Sequence, residues 1–210
     1  MVEQMIDYPF HHVIIDGMLT DEQGRAARSE FDAVNEWRWF DSSRERKAQA
    51  PFECGGETIQ GVADMLRSVA FIDRVGEMFG IDRLSFDEYG GGLHRIKPGG
   101  LLDIHVDFNR HDDGRYRRIN ALLYLNDNPH PSADLLLAPC WPCEQVVRVR
   151  PTMGRLVLFE TSEHSWHGHP EPLQGNQERR SLAAYYYTTK PPDGVAESHS
   201  TIFATPGPPW

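Results

Sequence analysis

The stretch LLDIHVDFNRHDDGRYRRINALLYLN, residues 101–126, contains two short apolar runs separated by a polar, turn-forming segment. Similar runs lie on both sides of it, divided by Gly, Pro, Asn and Asp, and none has the length of a helix. They are LSFDEY (84–89), GLHRI (92–96), DLLLA (134–138), QVVRVR (145–150), RLVLFE (155–160), SWHGHP (165–170) and SLAAYYYTT (181–189). Short strands at such regular spacing predict an all-β sandwich or barrel.

Upstream of these runs the sequence predicts a short strand and two helices. The strand covers 13–15. Thr20 and Gln23 then have the spacing of a capping box, which marks a helix N-terminus. Within 58–80 apolar residues recur at helical spacing, so a second helix is expected there, ended by Gly80.

These patterns together predict an α+β, mainly β fold. We expect a double-stranded β-helix, that is a cupin-like jelly roll, with N-terminal helices packed on one sheet. A single domain would span 1–210, with a helical part at about 18–80, a jelly-roll core at about 84–190 and an irregular tail at 191–210. The segment 36–56 is aromatic, then charged, then rich in Pro and Gly, and it predicts a loop with at most one short strand.

Composition limits the classes of partner. The chain has 21 basic and 31 acidic residues, a net charge of −10, which disfavours binding to a phosphate backbone. No apolar run reaches the roughly 18 residues of a membrane span, and the N-terminus lacks the pattern of a signal peptide. Three cysteines are too few for a disulfide framework. We therefore expect a cytoplasmic protein with neither nucleic acid nor membrane as partner, and the sequence leaves its oligomeric state unknown.

Histidine is concentrated in one region, since six of the ten lie between 105 and 169. His105 and Asp107 are two residues apart on a predicted strand and so point to the same side. Such a pair can bind one metal ion, with a third ligand expected from across the sandwich. The segment SEHSWHGHP (162–170) offers His164, His167 and His169 for that position. Two imidazoles and one carboxylate form the facial triad of non-haem Fe(II) oxygenases, with open coordination positions.

This pattern, followed by a basic residue at the start of the last strand, resembles the Fe(II)/2-oxoglutarate-dependent dioxygenases, and within them the prolyl-4-hydroxylase-like branch. The resemblance covers roughly 10–203. It is strongest in the segments GGGLHRIKPGGLLDIHVDFN (90–109), RRINALLYLN (117–126), GRLVLFETSEHSWHGHPEPL (154–173) and RRSLAAYYYT (179–188). It implies His105, Asp107 and His167 as the iron ligands and catalytic centre. His169 is the second choice for the third ligand, and His164 is expected at the surface or behind the ligands.

The resemblance also implies a cosubstrate site. Arg179 would bind the distal carboxylate of 2-oxoglutarate, for which a bidentate guanidinium is well suited. Tyr124 would donate to the same carboxylate, and Asn120 would line the pocket. Arg180 is the adjacent alternative to Arg179, but neighbours on a strand face opposite ways. The implied cofactors are Fe(II), 2-oxoglutarate as cosubstrate and O2, with ascorbate as a stimulant.

The activity that the resemblance implies is oxidative decarboxylation of 2-oxoglutarate coupled to hydroxylation of an unactivated C–H bond. The substrate would be a small molecule or an amino-acid or peptidyl group. Only three of the 21 basic residues are lysine, which is typical of a GC-rich genome and favours a bacterial biosynthetic role. Ile96 and Lys97 stand where related hydroxylases place a pocket tyrosine, which leaves open how the proximal end of the cosubstrate is held. The alternatives are a cupin-like metal enzyme with non-redox chemistry, or desaturation or cyclisation by the same iron site.

The motif CWPC, residues 140–143, has the spacing of a redox pair or of half a zinc site. The surrounding pattern has neither the βαβ unit of a thioredoxin-like protein nor a second cysteine pair, so we interpret the motif as an ordinary loop. Trp141 and Trp166 are candidates for the wall of a substrate pocket, although a tryptophan is more often part of the core.

Overall fold

The structure, a computed structural model, describes residues 2–192, 194–195 and 197–204. The helices are α1 (Asp21–Ala33), α2 (Glu57–Arg67) and α3 (Val69–Phe79). The strands are β1 (Val2–Ile6), β2 (His12–Asp16), β3 (Arg38–Asp41), β4 (Arg46–Ala50), β5 (Ser85–Ile96), β6 (Leu102–Val106), β7 (Tyr116–Tyr124), β8 (Leu135–Ala138), β9 (Val147–Val149), β10 (Leu156–Glu160), β11 (Trp166–His169), β12 (Arg179–Thr188) and β13 (Ile202–Phe203).

Over these residues the strands form two antiparallel sheets. The major sheet has the order β1-β2-β10-β7-β12-β5-β4-β3, and the minor sheet has the order β13-β6-β11-β8-β9. Apolar side chains of α1, α2 and α3 share one buried cluster with those of the major sheet. The predicted jelly roll with helices on one sheet is confirmed. None of these helices is long and apolar enough to cross a membrane, as far as the described residues go.

Capping residues set the ends of the helices. Thr20 and Gln23 form the predicted capping box at the start of α1. The prediction of one helix over 58–80 is wrong, because the chain breaks at Ser68. This residue is extended, with ψ 143°, and its hydroxyl accepts a hydrogen bond from the backbone N–H of Phe71, so that it ends α2 and caps α3. Gly80 ends α3 in the left-handed region, as predicted.

Two segments expected to be irregular contain strands. The segment 36–56 includes β3 and β4, and β4 extends the major sheet by pairing with β5. In the tail, β13 pairs with β6, and residues 205–210 lie outside the described residues. β4 and β13 lie near a sheet edge and gain their hydrogen bonds from a neighbouring strand. Both lack the apolar alternation by which a half-buried strand is recognised in sequence.

Side chains of β12 lie on both faces of the major sheet. Leu182, Ala184 and Tyr186 pack against the helices. Alternate residues face the minor sheet, because successive side chains of a strand point to opposite faces. Between the sheets, apolar side chains form a second core, which consists of Tyr124, Leu135, Leu137, Val149, Val157 and Phe159. The remaining space between the sheets is lined largely by polar side chains and forms the cavity described next.

Candidate metal centre

The strands β6 and β11 bring the three predicted metal ligands together. His105 and His167 are directly opposite each other in the antiparallel register, and Asp107 follows the end of β6 by one residue. Directly opposed residues of an antiparallel pair have Cβ atoms about 5 Å apart. The third ligand was expected from across the sandwich, and this is wrong: it comes from the neighbouring strand of the same sheet.

The geometry of the three side chains suits one metal ion. Nε2 of His105 lies 3.6 Å from Oδ1 of Asp107, and Nε2 of His167 lies 3.3 Å from Oδ2. All three ligand atoms are within 4.8 Å of one another. Nδ1 of His105 donates to the carbonyl of Asp103, and Nδ1 of His167 donates to the carbonyl of Ser165, both at 2.8 Å. These bonds leave each Nε2 as the lone-pair nitrogen facing the cluster, which is the usual arrangement for a metal-binding histidine.

Asp107 is held from behind by two side chains that the sequence analysis did not place there. Nη2 of Arg117 lies 3.1 Å from its carboxylate, and Nδ2 of Asn120 donates to it at 2.7 Å. Arg117 also donates through Nε to Oδ1 of Asn120 at 2.8 Å. Burial opposes ionisation of Asp107, but Arg117 and His167 hold its pKa well below the usual range. The carboxylate is therefore charged and fixed in orientation.

Arg117 gave no signal in the sequence, because it precedes the apolar part of β7 and looks like a surface charge. In the structure its guanidinium lies over the ring of Tyr185, 3.6 Å from the centroid, and it is only 4% exposed. Asn120 was expected to line the cosubstrate pocket. It does line the cavity, and its amide is bonded to Asp107.

A cavity of about 180 Å³ adjoins the cluster, and Arg179 lines it together with the three candidate ligands. Arg179 is the first residue of β12 and is buried. Its Nη2 donates to the hydroxyl of Tyr124 at 3.0 Å, and its Nε donates to the carbonyl of Ala133 at 3.1 Å. Arg180 faces the helices, where it pairs with Asp32 at 2.7 Å. The structure thus brings Arg179 and Tyr124 together and separates Arg180 from them, in keeping with the alternation of a strand.

Further polar side chains line the cavity. His169 is 2% exposed, and burial, with the charge of Arg179, lowers its pKa well below the usual range. Burial, with the charge of Lys47, lowers the pKa of His94 to about 3. Lys47 and Gln49 enter from β4, in the segment expected to be a loop, and no sequence pattern indicates that they reach the cavity. His164 is exposed.

The donor set fits a divalent transition metal with open coordination positions. Two neutral imidazoles and one carboxylate are the ligands of the non-haem Fe(II) triad. Ligand atoms on one face of an octahedral ion, each about 2.1 Å from it, lie about 3 Å apart. The nitrogen–oxygen distances here are near that value. Arg179 offers a buried cation for a carboxylate in the same cavity, so the residues fit a metal together with an anionic ligand.

Gly168 sits between His167 and His169 where the register of β11 shifts against β6. A Cβ at this position would lie 2.7 Å from the carbonyl oxygen of Asp103 and 2.8 Å from that of Leu102. We expect Gly168→Ala to push β11 away from β6. The free energy of unfolding should fall by about 1–3 kcal/mol, and metal affinity should fall about tenfold as the imidazoles move.

Urea unfolding and metal titration measure these two effects. Gly61→Ala on α2 is the matched control, because a Cβ there meets no atom within 4 Å. It should leave metal affinity unchanged and add up to about 1 kcal/mol of stability through helix propensity. Equal behaviour of the two variants would contradict a tight approach of β11 to β6.

The remaining candidates lie away from the cavity. Trp141 and Trp166 pack around Ile104 and Leu136 in a cluster of the minor sheet, and neither lines the cavity. The CWPC motif lies in the connection between β8 and β9, with Cys140 exposed. Tail residues reach the site instead: Thr201 lines the cavity, and the ring of Phe203 lies 5.5 Å from that of His105.

Comparisons with known proteins found one matching family model and solved structures of similar fold. The family model described as the 2OG-Fe(II) oxygenase superfamily matches residues 91–187. No curated protein matches the sequence. A prolyl-4-hydroxylase from Pseudomonas putida is similar in structure with a TM-score of 0.61 and 20% identity, over 84% of this chain and 91% of that one.

Two further solved structures are similar over most of their length. A prolyl hydroxylase from Trichoplax adhaerens, in complex with a hypoxia inducible factor peptide, has a TM-score of 0.59 and 17% identity, over 84% of this chain and 83% of that one. HygX from Streptomyces hygroscopicus, with nickel, 2-oxoglutarate and hygromycin B bound, has a TM-score of 0.60 and 16% identity, over 85% and 83%. The segment 91–187, which the family model matches, carries the His-Asp-His cluster and Arg179.

Proposed function

We propose that this protein is an Fe(II)/2-oxoglutarate-dependent dioxygenase that hydroxylates an unactivated C–H bond. One observation carries the proposal: the cluster of His105, Asp107 and His167 opens on the same cavity as the buried Arg179. A metal ion and a dicarboxylate can therefore be held side by side. A cupin-like enzyme with non-redox chemistry would not need a buried guanidinium in the same cavity as the metal ligands.

Each residue has a defined part in this function. Bound iron with 2-oxoglutarate supplies the activation of O2. His105, Asp107 and His167 would hold the metal. Arg179 pairs with the distal carboxylate of the cosubstrate, and Tyr124 donates to the same group.

The surroundings keep these groups fixed. Arg117 and Asn120 hold Asp107 in one orientation. Leu102, Leu122 and Leu135 contribute apolar surface to the cavity. Desaturation or cyclisation would use the same ligands and remains the second outcome for the same site.

Two grooves at the mouth of the cavity support a substrate larger than the cosubstrate. One, of about 490 Å³, shares Gln49 and Gly90 with the cavity. The other, of about 470 Å³, shares Phe108 and Thr201 with it. Tyr89 is 56% exposed and borders both grooves. We propose a small-molecule, amino-acid or peptidyl substrate that lies across Tyr89, in a bacterial biosynthetic context.

The proposal also covers the domain organisation of the enzyme, its class of substrate and its location. We propose that residues 1–210 act as one catalytic domain, because the helices and the major sheet share a core. The net charge of −10 disfavours a nucleic-acid substrate. The three cysteines are unpaired in the structure, as is usual in a reducing compartment. We therefore propose that the protein is cytoplasmic.

The test is anaerobic addition of Fe(II) and then 2-oxoglutarate to the full chain. We expect a weak visible charge-transfer band that needs both additions, because the band arises when the keto acid chelates the metal. Succinate release stimulated by candidate small molecules and peptides then identifies the substrate class. Correctly folded protein that gives no band would overturn the proposed function.

A further inference from the structure

His169 is a buried imidazole whose two ring nitrogens have no hydrogen-bond partner within the described part of the chain. It is 2% exposed and lines the cavity beside the candidate metal centre. Buried polar groups are nearly always hydrogen-bonded, and one without a partner carries a free-energy cost. The unused nitrogens of His169 therefore indicate a ligand that supplies the missing partner.

The position of His169 argues against a role as metal ligand. Its Cα partner on β6 is Leu102, whereas that of His167 is His105. The group of side chains able to hold one ion contains His105, Asp107 and His167 and does not include His169. His105 and His167 are each oriented by a bond from Nδ1 to a backbone carbonyl, and His169 has no such bond to a second residue.

The chemistry of the same cavity indicates which ligand group meets His169. Arg179 and Lys47 line it together with His169, so an anion is favoured there. A neutral imidazole carries one N–H donor, and a carboxylate accepts hydrogen bonds only. A donor from β11 would meet the anion from the side opposite to β12, which carries Arg179.

We propose that His169 donates a hydrogen bond to the distal carboxylate of 2-oxoglutarate, as a third contact beside Arg179 and Tyr124. The proposal rests on the proposed function and adds a specificity residue to it. Three donors around one carboxylate make the site selective for a dicarboxylic 2-oxo acid. An analogue without that carboxylate would leave His169 without a hydrogen-bond partner and the buried charge of Arg179 without an anion, and such a mismatch is rejected strongly.

The test compares two ligands on the Ni(II)-loaded full chain by calorimetry. One is 2-oxoglutarate, and the other is 2-oxopentanoate, in which a methyl group replaces the distal carboxylate. We expect His169→Val to weaken 2-oxoglutarate binding about tenfold to a hundredfold, the usual effect of a hydrogen bond to a charged group. Binding of 2-oxopentanoate and of Ni(II) should stay unchanged. His169→Gln, which keeps an N–H donor, should recover most of the affinity.

His164→Val is the matched control, since His164 is exposed and lies outside the cavity, and it should bind both ligands like the wild type. Three results would overturn the inference while the proposed function stands. They are an equal loss for both ligands, no loss for either, and a loss of Ni(II) binding in His169→Val. Wild-type protein that takes up Ni(II) but does not bind 2-oxoglutarate would overturn the proposed function as well.

Discussion

Asp107→Ala should lose metal binding by at least about a hundredfold and abolish turnover, because it removes the only anionic ligand of the described cluster. It should also destabilise the fold. Arg117 is buried and pairs with Asp107 at 3.1 Å, so the substitution leaves an uncompensated charge between the sheets. Loss of one partner of a buried ion pair costs about 3–5 kcal/mol. Fe(II) or Co(II) titration and urea unfolding measure the two effects.

A double variant separates metal binding from stability. Asp107→Ala with Arg117→Met removes both charges, and replacing a buried pair by apolar groups is often neutral. We expect it to regain most of the lost free energy of unfolding and none of the metal affinity. Asp112→Ala is the matched control, because this acidic residue is exposed and lies outside the cluster. Full metal affinity in Asp107→Ala would contradict the assigned ligand set.

Arg179→Ala should weaken 2-oxoglutarate binding between about thirtyfold and a few thousandfold, which corresponds to about 2–5 kcal/mol for a buried charge pair broken on one side. The KM for 2-oxoglutarate should rise to a similar degree, and metal affinity should stay unchanged. The guanidinium reaches the cavity from β12 and is buried, so solvent cannot replace it. Anaerobic titration of the Fe(II) protein with 2-oxoglutarate measures the effect.

Arg180→Ala is the control for this prediction, since the neighbouring side chain pairs with Asp32 on α1. It should bind 2-oxoglutarate like the wild type. Arg179→Lys should keep part of the affinity, because an ammonium preserves the charge but loses the bidentate geometry. Full activity of Arg179→Ala would instead favour a metal enzyme with non-redox chemistry.

The local parts of the site could be predicted from sequence. A His and an Asp two residues apart are expected on one side of a strand whatever the rest of the fold does, and the strand after the histidine-rich segment 162–170 begins with Arg179. The register of β6 against β11 could not be predicted, because it depends on the order of strands in the minor sheet. For this reason the sequence pattern predicts His167 across the sandwich, whereas it lies on the strand next to β6.

Other parts of the site and fold could not be predicted because they depend on contacts between residues that are far apart in the sequence. Arg117 looks like an exposed charge until Asp107 and Tyr185 are placed around it. Lys47 enters the cavity because β4 pairs with β5. No pattern in the charged segment 36–56 indicates that pairing. The break between α2 and α3 occurs at a single residue, Ser68. Because the helical spacing of apolar residues continues across it, the sequence pattern does not reveal the break.

The short strand β13 also bears on how the protein behaves at high concentration. It occupies the outer side of β6, where Ile202 pairs with Val106. A guanidinium nitrogen of Arg44, from the β3–β4 hairpin, binds the carbonyl of Ala204 at 2.7 Å and fastens the segment. An uncovered strand edge is a template for pairing with another chain. Removal of residues 201–210 would therefore expose the ligand-bearing strand to self-association, and aggregation should accompany loss of activity.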